Sequence, residues 1–292
     1  MKERFNIHQH ITDQIIGAIE RGAGEFSLPW NRGGNILRPT NIESKKAYQG
    51  VNIVALWAAS EVRGFSSGVF GTYRQWAAQG AQVRKGERAS YVVFYKEYDV
   101  LDEEADGDTT RLFARATPVF AAEQVDGYVA PMTVNPMPMQ PVECCEAFVA
   151  ASRATVYHGG DRAFYRPSTD EIHLPAREAF NGSPTSSATE AYYATLLHEL
   201  THWTSHSSRC ARELGKRFGD HAYAMEELVA ELGAAFLCAD LGITPEPRLD
   251  HAQYLASWLD VMKADNRAIF TASSKASEAA RFLAGLQAEP EG

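Results

Sequence analysis

The sequence predicts an α+β protein that consists of two domains. Stretches with the apolar spacing of helices are separate from stretches rich in β-branched and aromatic residues, which are typical of strands. At 292 residues, the chain is long enough to form two cores of ordinary size. Four prolines between residues 130 and 141 (APMTVNPMPMQP) favour an extended connection. We therefore expect domains at 1–128 and 142–292, joined by a proline-rich linker at 129–141.

The N-terminal domain is predicted to contain helices followed by a hairpin. Isoleucines at every fourth position from Ile7 to Ile19 form one apolar stripe, which predicts a helix. Thr72 and Gln75 have the spacing of a capping box, which predicts the start of a short helix. The predicted elements are helices at 7–22, 51–63 and 72–80 and strands at 90–96 and 111–120, with the acidic tract at 102–108 as the hairpin loop.

The C-terminal domain is predicted to be mainly helical. Ser187 and Glu190 have the spacing of a second capping box, which predicts the start of a helix that runs through His206. A second long helix is expected to stop at Gly242. The predicted elements are helices at 142–151, 187–206 and 223–241, two short strands within 163–175, and three shorter helical segments between 250 and 287.

A metal-binding motif lies inside the helix predicted at 187–206. Residues 197–202 read LHELTH, which contains the HExxH pattern. His198 and His202 are one turn apart, so their imidazoles project from the same helix face and can share one metal ion. Glu199 follows the first histidine and is the candidate general base that takes a proton from water. The motif predicts a zinc-type metallopeptidase site.

A third metal ligand is expected from the helix predicted at 223–241. Glu226, Glu227 and Glu231 lie among apolar residues, where a carboxylate is costly to bury without a cation. We predict Glu227 as the ligand, with Glu226 in reserve, and Glu231 as the acceptor that orients a histidine ring. His206, one turn beyond the motif, is predicted to support the site or bind substrate. Such a gluzincin-like set accepts zinc or another divalent metal such as manganese.

The N-terminal third is basic, whereas the rest of the chain is acidic. Residues 1–96 hold 13 Lys+Arg against 7 Asp+Glu, and the remainder holds 15 against 30. Aromatic residues interleave with these cations, which suits single-stranded nucleic acid; the alternative is a solvated surface without a partner. Trp57 and Phe94 are expected in the core. The predicted contacts are Trp30, Arg32, Lys45, Lys46, Tyr48, Tyr73, Arg74, Gln75, Trp76, Arg84, Lys85 and Arg88, with Gln75, Arg84 and Lys85 the most exposed.

These patterns leave more than one function open. The metal could be structural or vestigial, which would leave a single-strand-binding protein without catalysis. A DNA-localised protease that acts on an unknown protein is another possibility. No apolar stretch approaches the roughly 20 residues that span a bilayer. The first residues also lack the apolar segment of a secretory signal. We therefore expect a cytoplasmic protein with no membrane partner.

Segments in both halves of the chain match a known pattern. They are 48–53 (YQGVNI), 71–75 (GTYRQ), 80–87 (GAQVRKGE), 198–206 (HELTHWTSH) and 226–237 (EELVAELGAAFL). Together these segments resemble the ArdC antirestriction family. The resemblance implies an N-terminal domain that binds single-stranded DNA and a C-terminal domain with a zincin-like metallopeptidase fold. It also adds Asn52 to the predicted nucleic-acid contacts.

The resemblance further implies a biological role. Such a protein would belong to a plasmid or phage and would protect incoming DNA, as in conjugation, from host restriction. Its partners would be single-stranded DNA and, at the metallopeptidase site, a protein substrate or a component of the restriction system. Related N-terminal domains also occur in plasmid primases, but this chain lacks an acidic primase signature, so we expect no priming.

Overall fold

The isoleucine stripe forms the buried face of the first helix, as predicted. In a computed structural model of the chain, α1 (Ile7–Gly22) buries all four isoleucines of the stripe. The structure describes residues 6–22, 28–30, 37–101, 108–129, 141–183, 186–213, 221–244 and 252–287. Residues 130–140 of the predicted linker lie outside the described residues.

The next two helices are α2 (Val51–Arg63) and α3 (Tyr73–Ala78), and both were predicted. α2 stops at Gly64, whose φ of 71° lies in the left-handed region that glycine adopts without strain. The capping box of α3 is formed, because Thr72 N donates to Gln75 Oε1 at 2.8 Å and Gln75 N donates to Thr72 Oγ1 at 3.3 Å. Local signals in the sequence therefore fix the end of α2 and the start of α3.

An antiparallel hairpin dominates the N-terminal sheet. The strands are β1 (Thr40–Asn41), β2 (Val69–Gly71), β3 (Gln82–Val83), β4 (Ser90–Leu101), β5 (Asp108–Ala121) and β6 (Val125–Asp126). The sheet has the order β1-β2-β5-β4, and β3 pairs with β6. The β4–β5 hairpin confirms the prediction, although most of the expected loop, 102–107, lies outside the described residues. The shorter strands were not predicted, because two or three residues show no periodicity.

A small mixed sheet follows α4 (Pro141–Ser152) in the C-terminal half. Its strands are β7 (Thr155–His158), β8 (Phe164–Arg166) and β9 (Glu171–Leu174), in the order β7-β9-β8. β8 and β9 are antiparallel and form the predicted strand pair. β7 was not predicted and runs parallel to β9.

The helix that carries the HExxH motif is α5 (Ala188–Trp203), and it begins with the predicted capping box. It ends at Trp203, so the prediction that it runs through His206 was wrong. Beyond Trp203, the amide of Ser205 donates to the carbonyl of His202, and that of His206 donates to the carbonyl of Trp203. These bonds reach three residues back instead of four, which tightens the last turn and ends the helix.

The remaining helices are α6 (His221–Leu241), α7 (Ala252–Ala264) and α8 (Ala268–Gly285). α6 stops at Gly242 as predicted. The expectation of three short segments between 250 and 287 was wrong, because the described part of this region forms two helices. α8 is one unbroken helix whose buried positions are mostly Ala and Ser, and Ser273 Oγ donates to Ile269 O at 2.7 Å. None of the helices in the described ranges has the length and apolarity that a membrane crossing requires.

The hydrophobic core is continuous between the two halves of the chain. Trp57 of α2 contacts Phe236 of α6, with ring centroids 5.7 Å apart. Gly50 N donates to Ser277 Oγ of α8 at 2.9 Å, although 227 positions separate them in the sequence. α1, α2 and α6 to α8 therefore share one apolar interior, whereas Trp76 of α3 belongs to a second, smaller cluster.

Candidate metal centre

A glycine brings the two helices of the metal centre close together. A Cβ atom on Gly233 of α6 would lie 2.5 Å from Thr201 Cγ2 and 2.8 Å from Thr201 Oγ1 of α5. Real Cβ atoms do not approach that closely, so any larger residue at this position would require the Thr201 side chain or one of the helices to shift. Thr201 Oγ1 itself donates to Leu197 O at 2.8 Å. The close approach places the HExxH face of α5 against the acidic face of α6.

The predicted metal ligands converge at this helix pair. His198 Nε2 lies 3.5 Å from Glu227 Oε2, and His202 Nε2 lies 3.6 Å from Glu227 Oε1. One ligand atom from each of these residues falls within 4.8 Å of the other two. All three residues are buried. The Nε2 atoms of both rings and one carboxylate therefore face a common point.

Glu226 contacts the opposite side of the same histidine. His202 Nδ1 lies 3.3 Å from Glu226 Oε1, and Arg212 donates to both carboxylate oxygens, at 2.8 and 3.0 Å. Arg212 also donates to Thr204 Oγ1 at 2.8 Å and to Thr201 O at 2.7 Å. Glu226 thus orients His202, and Arg212 fixes Glu226. Glu226 was the second candidate for the third metal ligand, but a carboxylate held by Arg212 on the far side of His202 does not fit that role.

Glu231 lies behind the other histidine, and its predicted role as an acceptor for the ring stays a prediction. Its Oε2 is 3.7 Å from His198 Nδ1, and its Oε1 accepts a hydrogen bond from Trp30 Nε1 at 3.2 Å. Trp30 is fully buried, so its predicted contact with nucleic acid is wrong. The indole instead holds the carboxylate that faces His198.

The candidate general base lies within the same buried region. Glu199 is 3% exposed and follows His198 on α5. Glu226, Glu227 and Glu231 are also buried, whereas Arg212 is the buried cation that pairs with this group. Buried carboxylates are costly unless positive charge compensates them. Two imidazole nitrogens and a carboxylate in such an acidic setting fit a divalent cation.

The electrostatics of the helix pair favour charged forms. Burial raises the pKa of Glu227, but its contacts with His198 and His202 outweigh burial and hold the pKa far below its usual range. Burial lowers the pKa of His202, but hydrogen bonds with Glu226 and Glu227 outweigh this and raise the pKa to about 10. Positive charge at the His202 imidazole is therefore stabilised by the surrounding carboxylates.

His206 lies outside the ligand group. Because α5 ends at Trp203, His206 does not continue the helix face of His198 and His202. Its Nδ1 lies 2.8 Å from Ser208 Oγ and accepts a hydrogen bond from Ser208 N at 3.2 Å. Its predicted role, to support the site or bind substrate, stays a prediction.

The sequence did not identify Arg212 as part of the site. Arg212 follows the end of α5 and belongs to no periodic pattern. One signal in the sequence could have indicated a buried cation near the site. Glu226 and Glu227 are adjacent in an apolar helix, so their carboxylates project in different directions and only one of them can reach the metal ion. The other carboxylate needed a cation from elsewhere in the chain.

The predicted nucleic-acid contacts divide into buried and exposed sets. Trp76, like Trp30, is 0% exposed, and its Nε1 donates to Phe120 O, so its prediction was wrong. Asn52 is buried, and its amide makes two hydrogen bonds with the Val93 backbone, which holds α2 on β4. Arg32 lies outside the described residues. Exposed side chains are those of Lys45, Lys46, Tyr73, Arg74, Arg84, Lys85 and Arg88.

The predicted nucleic-acid-binding residues that are buried or partly buried form hydrogen bonds within the protein. Gln75 bonds with Asn41 and Glu43 in addition to its capping role, so it is less exposed than predicted. Tyr48 is mostly buried, and its Oη accepts a hydrogen bond from Asn41 Nδ2 at 3.2 Å. Phe94 was expected in the core but is half exposed.

Comparison with known proteins matches both halves of the chain. Residues 5–125 match the N-terminal domain of anti-restriction factor ArdC, and residues 143–275 match a zincin-like metallopeptidase. The metal-free crystal structure of antirestriction protein ArdC from plasmid R388 is 36% identical, with a TM-score of 0.79. That match covers 97% of this chain and 98% of the other. The chain belongs to the ArdC antirestriction family.

Other relatives of this ArdC-family chain include two of similar length and two much longer proteins. The Mn(II)-bound structure of R388 ArdC is 34% identical, with a TM-score of 0.75, and the match covers 98% of this chain and 99% of that one. An uncharacterised protein of Sinorhizobium fredii, y4eC, is 45% identical over 98% of this chain and 94% of its own length. Two DNA primases TraC of Escherichia coli are 36% identical over 96% and 95% of this chain. This chain spans 27% and 20% of their lengths.

Proposed function

We propose that this protein binds single-stranded DNA, carries a divalent-metal peptidase site and protects the incoming DNA of a mobile element from host restriction. The convergence of His198, His202 and Glu227 is the observation that carries the peptidase proposal. Membership of the ArdC family supports the antirestriction role. The partner at the peptidase site would be a protein substrate, such as a component of the restriction system.

The residues of the site have separate tasks in this proposal. His198, His202 and Glu227 hold the metal, which we propose to be zinc or manganese. A metal bound there supplies Lewis acidity toward a peptide carbonyl and a water molecule. Glu199 takes a proton from the attacking water and returns it to the leaving amine. Glu226 and Glu231 hold the two imidazoles in the orientation that this chemistry needs.

DNA binding is assigned to the basic N-terminal region. Its exposed cations include Lys46, Arg84 and Lys85, and its exposed rings include Tyr73 and Phe94. Cations attract the phosphate backbone, and exposed rings stack with unpaired bases. Titration of a labelled single strand at two salt concentrations tests this assignment. Phosphate contacts predict a steep loss of affinity as salt rises, and salt-insensitive binding would contradict the assignment.

The Glu199→Gln variant separates the peptidase role from DNA binding alone. The amide keeps the shape of the buried side chain but cannot take a proton, so we expect it to abolish protection of transferred DNA. Glu178→Gln is the matched control, because Glu178 is exposed and lies outside the site. The measurement is the efficiency of DNA transfer into a restricting host. Full protection by Glu199→Gln would favour a DNA-binding protein with a structural metal site.

A further inference from the structure

A cleft runs between the N-terminal sheet and the last helix. Its volume is about 1270 Å³. Lys46, Phe94 and Tyr95 line one side, and Lys275 and Arg281 of α8 line the other. Among the described residues that line this cleft, none is acidic. That bias stands out in a chain with a net charge of −9.

We propose that this cleft is a composite binding groove for single-stranded DNA, with rings from β4 for the bases and cations from α8 for the phosphates. The inference rests on the proposed DNA binding and extends it, because α8 belongs to the half that was assigned to the peptidase. The sequence placed all its predicted contacts in the N-terminal third. The groove joins Lys46 and Tyr48 of that set to residues more than 200 positions away.

The ring side of the groove lies on an edge strand. β4 is the outer strand in the order β1-β2-β5-β4, so its outer edge has no neighbouring strand within the described part of the sheet. Phe94 is 50% exposed and Tyr95 is 47% exposed. Tyr95 Oη lies 3.1 Å from His8 Nε2, and the His8 ring lies 4.7 Å from that of Phe270. These contacts order the aromatic side of the groove before any ligand arrives.

The cationic side of the groove is formed at α8. Arg267, Lys275 and Arg281 are exposed and line the cleft. Arg267 also acts on the ring side: burial raises the pKa of Tyr95, and the positive charge of Arg267 opposes that rise. Cations thus face exposed rings across the cleft. Unpaired bases stack on such rings while the backbone meets the cations. An acidic peptide lacks the flat faces that the rings would bind.

The cationic side is tested in the full chain with Lys275→Ala and Arg281→Ala combined. Fluorescence anisotropy with a labelled oligothymidylate measures the affinity over a salt series. Loss of two phosphate contacts should lower affinity about tenfold near 0.1 M salt and reduce the salt slope by about 1.4. The matched control combines Arg162→Ala with Lys263→Ala, which removes the same charges from exposed positions outside the cleft. The control should bind as the unmodified protein does.

The ring side is tested with Phe94→Ala. Loss of one stacking platform should weaken binding about tenfold, with an unchanged salt slope. Thermal unfolding confirms that each variant is folded. If the unmodified protein shows no salt-dependent binding, the proposed DNA binding fails together with the groove. If it binds, and all variants bind equally well, only the groove is wrong. Equal competition by polyglutamate of the same charge would also overturn the groove.

Discussion

Glu226 and Glu227 are adjacent in the sequence, yet they contact different sides of the same histidine. Successive helix positions differ by about 100° in direction, so adjacent carboxylates cannot face one point. Glu227 meets the Nε2 atoms of His198 and His202, whereas Glu226 meets His202 Nδ1 and Arg212. One carboxylate can therefore serve a metal while its neighbour sets the direction of a ring.

Metal content tests this arrangement at single residues. His202→Ala removes one of three proposed ligands, so we expect the purified protein to lose its bound divalent metal after dialysis. His206→Ala is the matched control, because His206 lies outside the ligand group and pairs with Ser208. Elemental analysis measures the metal, and circular dichroism confirms that both variants are folded. Equal metal content in the two variants would exclude His202 as a ligand.

The sequence predicted residues whose roles depend on local spacing. His198 and His202 were identifiable because one turn of helix separates them. Arg212 and Trp30 were not, since their partners are distant: Trp30 reaches Glu231, 201 positions further on. An interleaved pattern of rings and cations likewise does not tell which rings are buried. Trp30 and Trp76 therefore entered the predicted DNA contacts, whereas Phe94 was assigned to the core.

At the scale of elements, contact between α5 and α6 depends on the absence of a side chain at Gly233. A methyl group there would occupy the space of the Thr201 side chain. Helices that separate by even a fraction of an ångström lose packing along their whole contact. They would also draw Glu227 away from the histidines. The metal centre is therefore sensitive to a position that contributes no ligand.

Gly233→Ala should lower the free energy of unfolding by about 2 kcal/mol, because the new methyl group overpacks the helix contact. It should also weaken metal binding. Gly285→Ala, at the end of α8, is the control, because its Cβ would meet no atom within 4 Å. Denaturant unfolding and metal titration measure the two effects. Adding Thr201→Ala should restore part of both, and the absence of any rescue would contradict the steric explanation.

The start of α5 depends on a charged cap. Glu190 accepts hydrogen bonds from Ser187 N at 2.9 Å and from Thr244 N at 3.0 Å. Burial raises the pKa of Glu190, but these bonds outweigh it and hold the pKa below its ordinary value of 4.5. A lowered pKa means that the ionised carboxylate stabilises the fold. This contribution is present above about pH 4.5 and is lost as pH falls through the lowered pKa.

Glu190→Gln should therefore cost about 1 kcal/mol of unfolding free energy at pH 7, and less as the pH falls below 4.5. Urea unfolding at pH 7 and at pH 3.5 compares the variant with the unmodified protein. Glu178→Gln provides the control at an exposed carboxylate, where we expect the same small effect at both pH values. A cost for Glu190→Gln that grows in acid would contradict the assignment.

At the scale of the whole molecule, the continuous core limits the independence of the two halves. Family comparison divides the chain at 5–125 and 143–275, yet α2 packs against α6 and α8. The sequence correctly predicted helices and a hairpin in the N-terminal half and a mainly helical C-terminal half. It could not show that they share an interior, since hydrophobic patterning indicates which side chains are buried but not against which partner.

Neither half should therefore be stable by itself. We expect residues 1–129 and 141–292, produced separately, to lack the cooperative thermal transition of the full chain, because each would expose apolar surface that the other covers. Calorimetry of both pieces and of their mixture measures this. Recovery of the transition only on mixing is the expected result. A fragment that unfolds cooperatively near the melting temperature of the full chain would contradict it.

The hydrogen bond from Trp30 to Glu231 should make tryptophan fluorescence sensitive to metal binding at the centre. The indole belongs to the N-terminal half, and its acceptor faces His198, so a change of charge at the metal centre alters the field around a buried fluorophore. Zinc addition should shift the emission of the unmodified protein, and Trp30→Phe should remove most of that shift. Occupancy of the centre could then be followed continuously in solution, without labels.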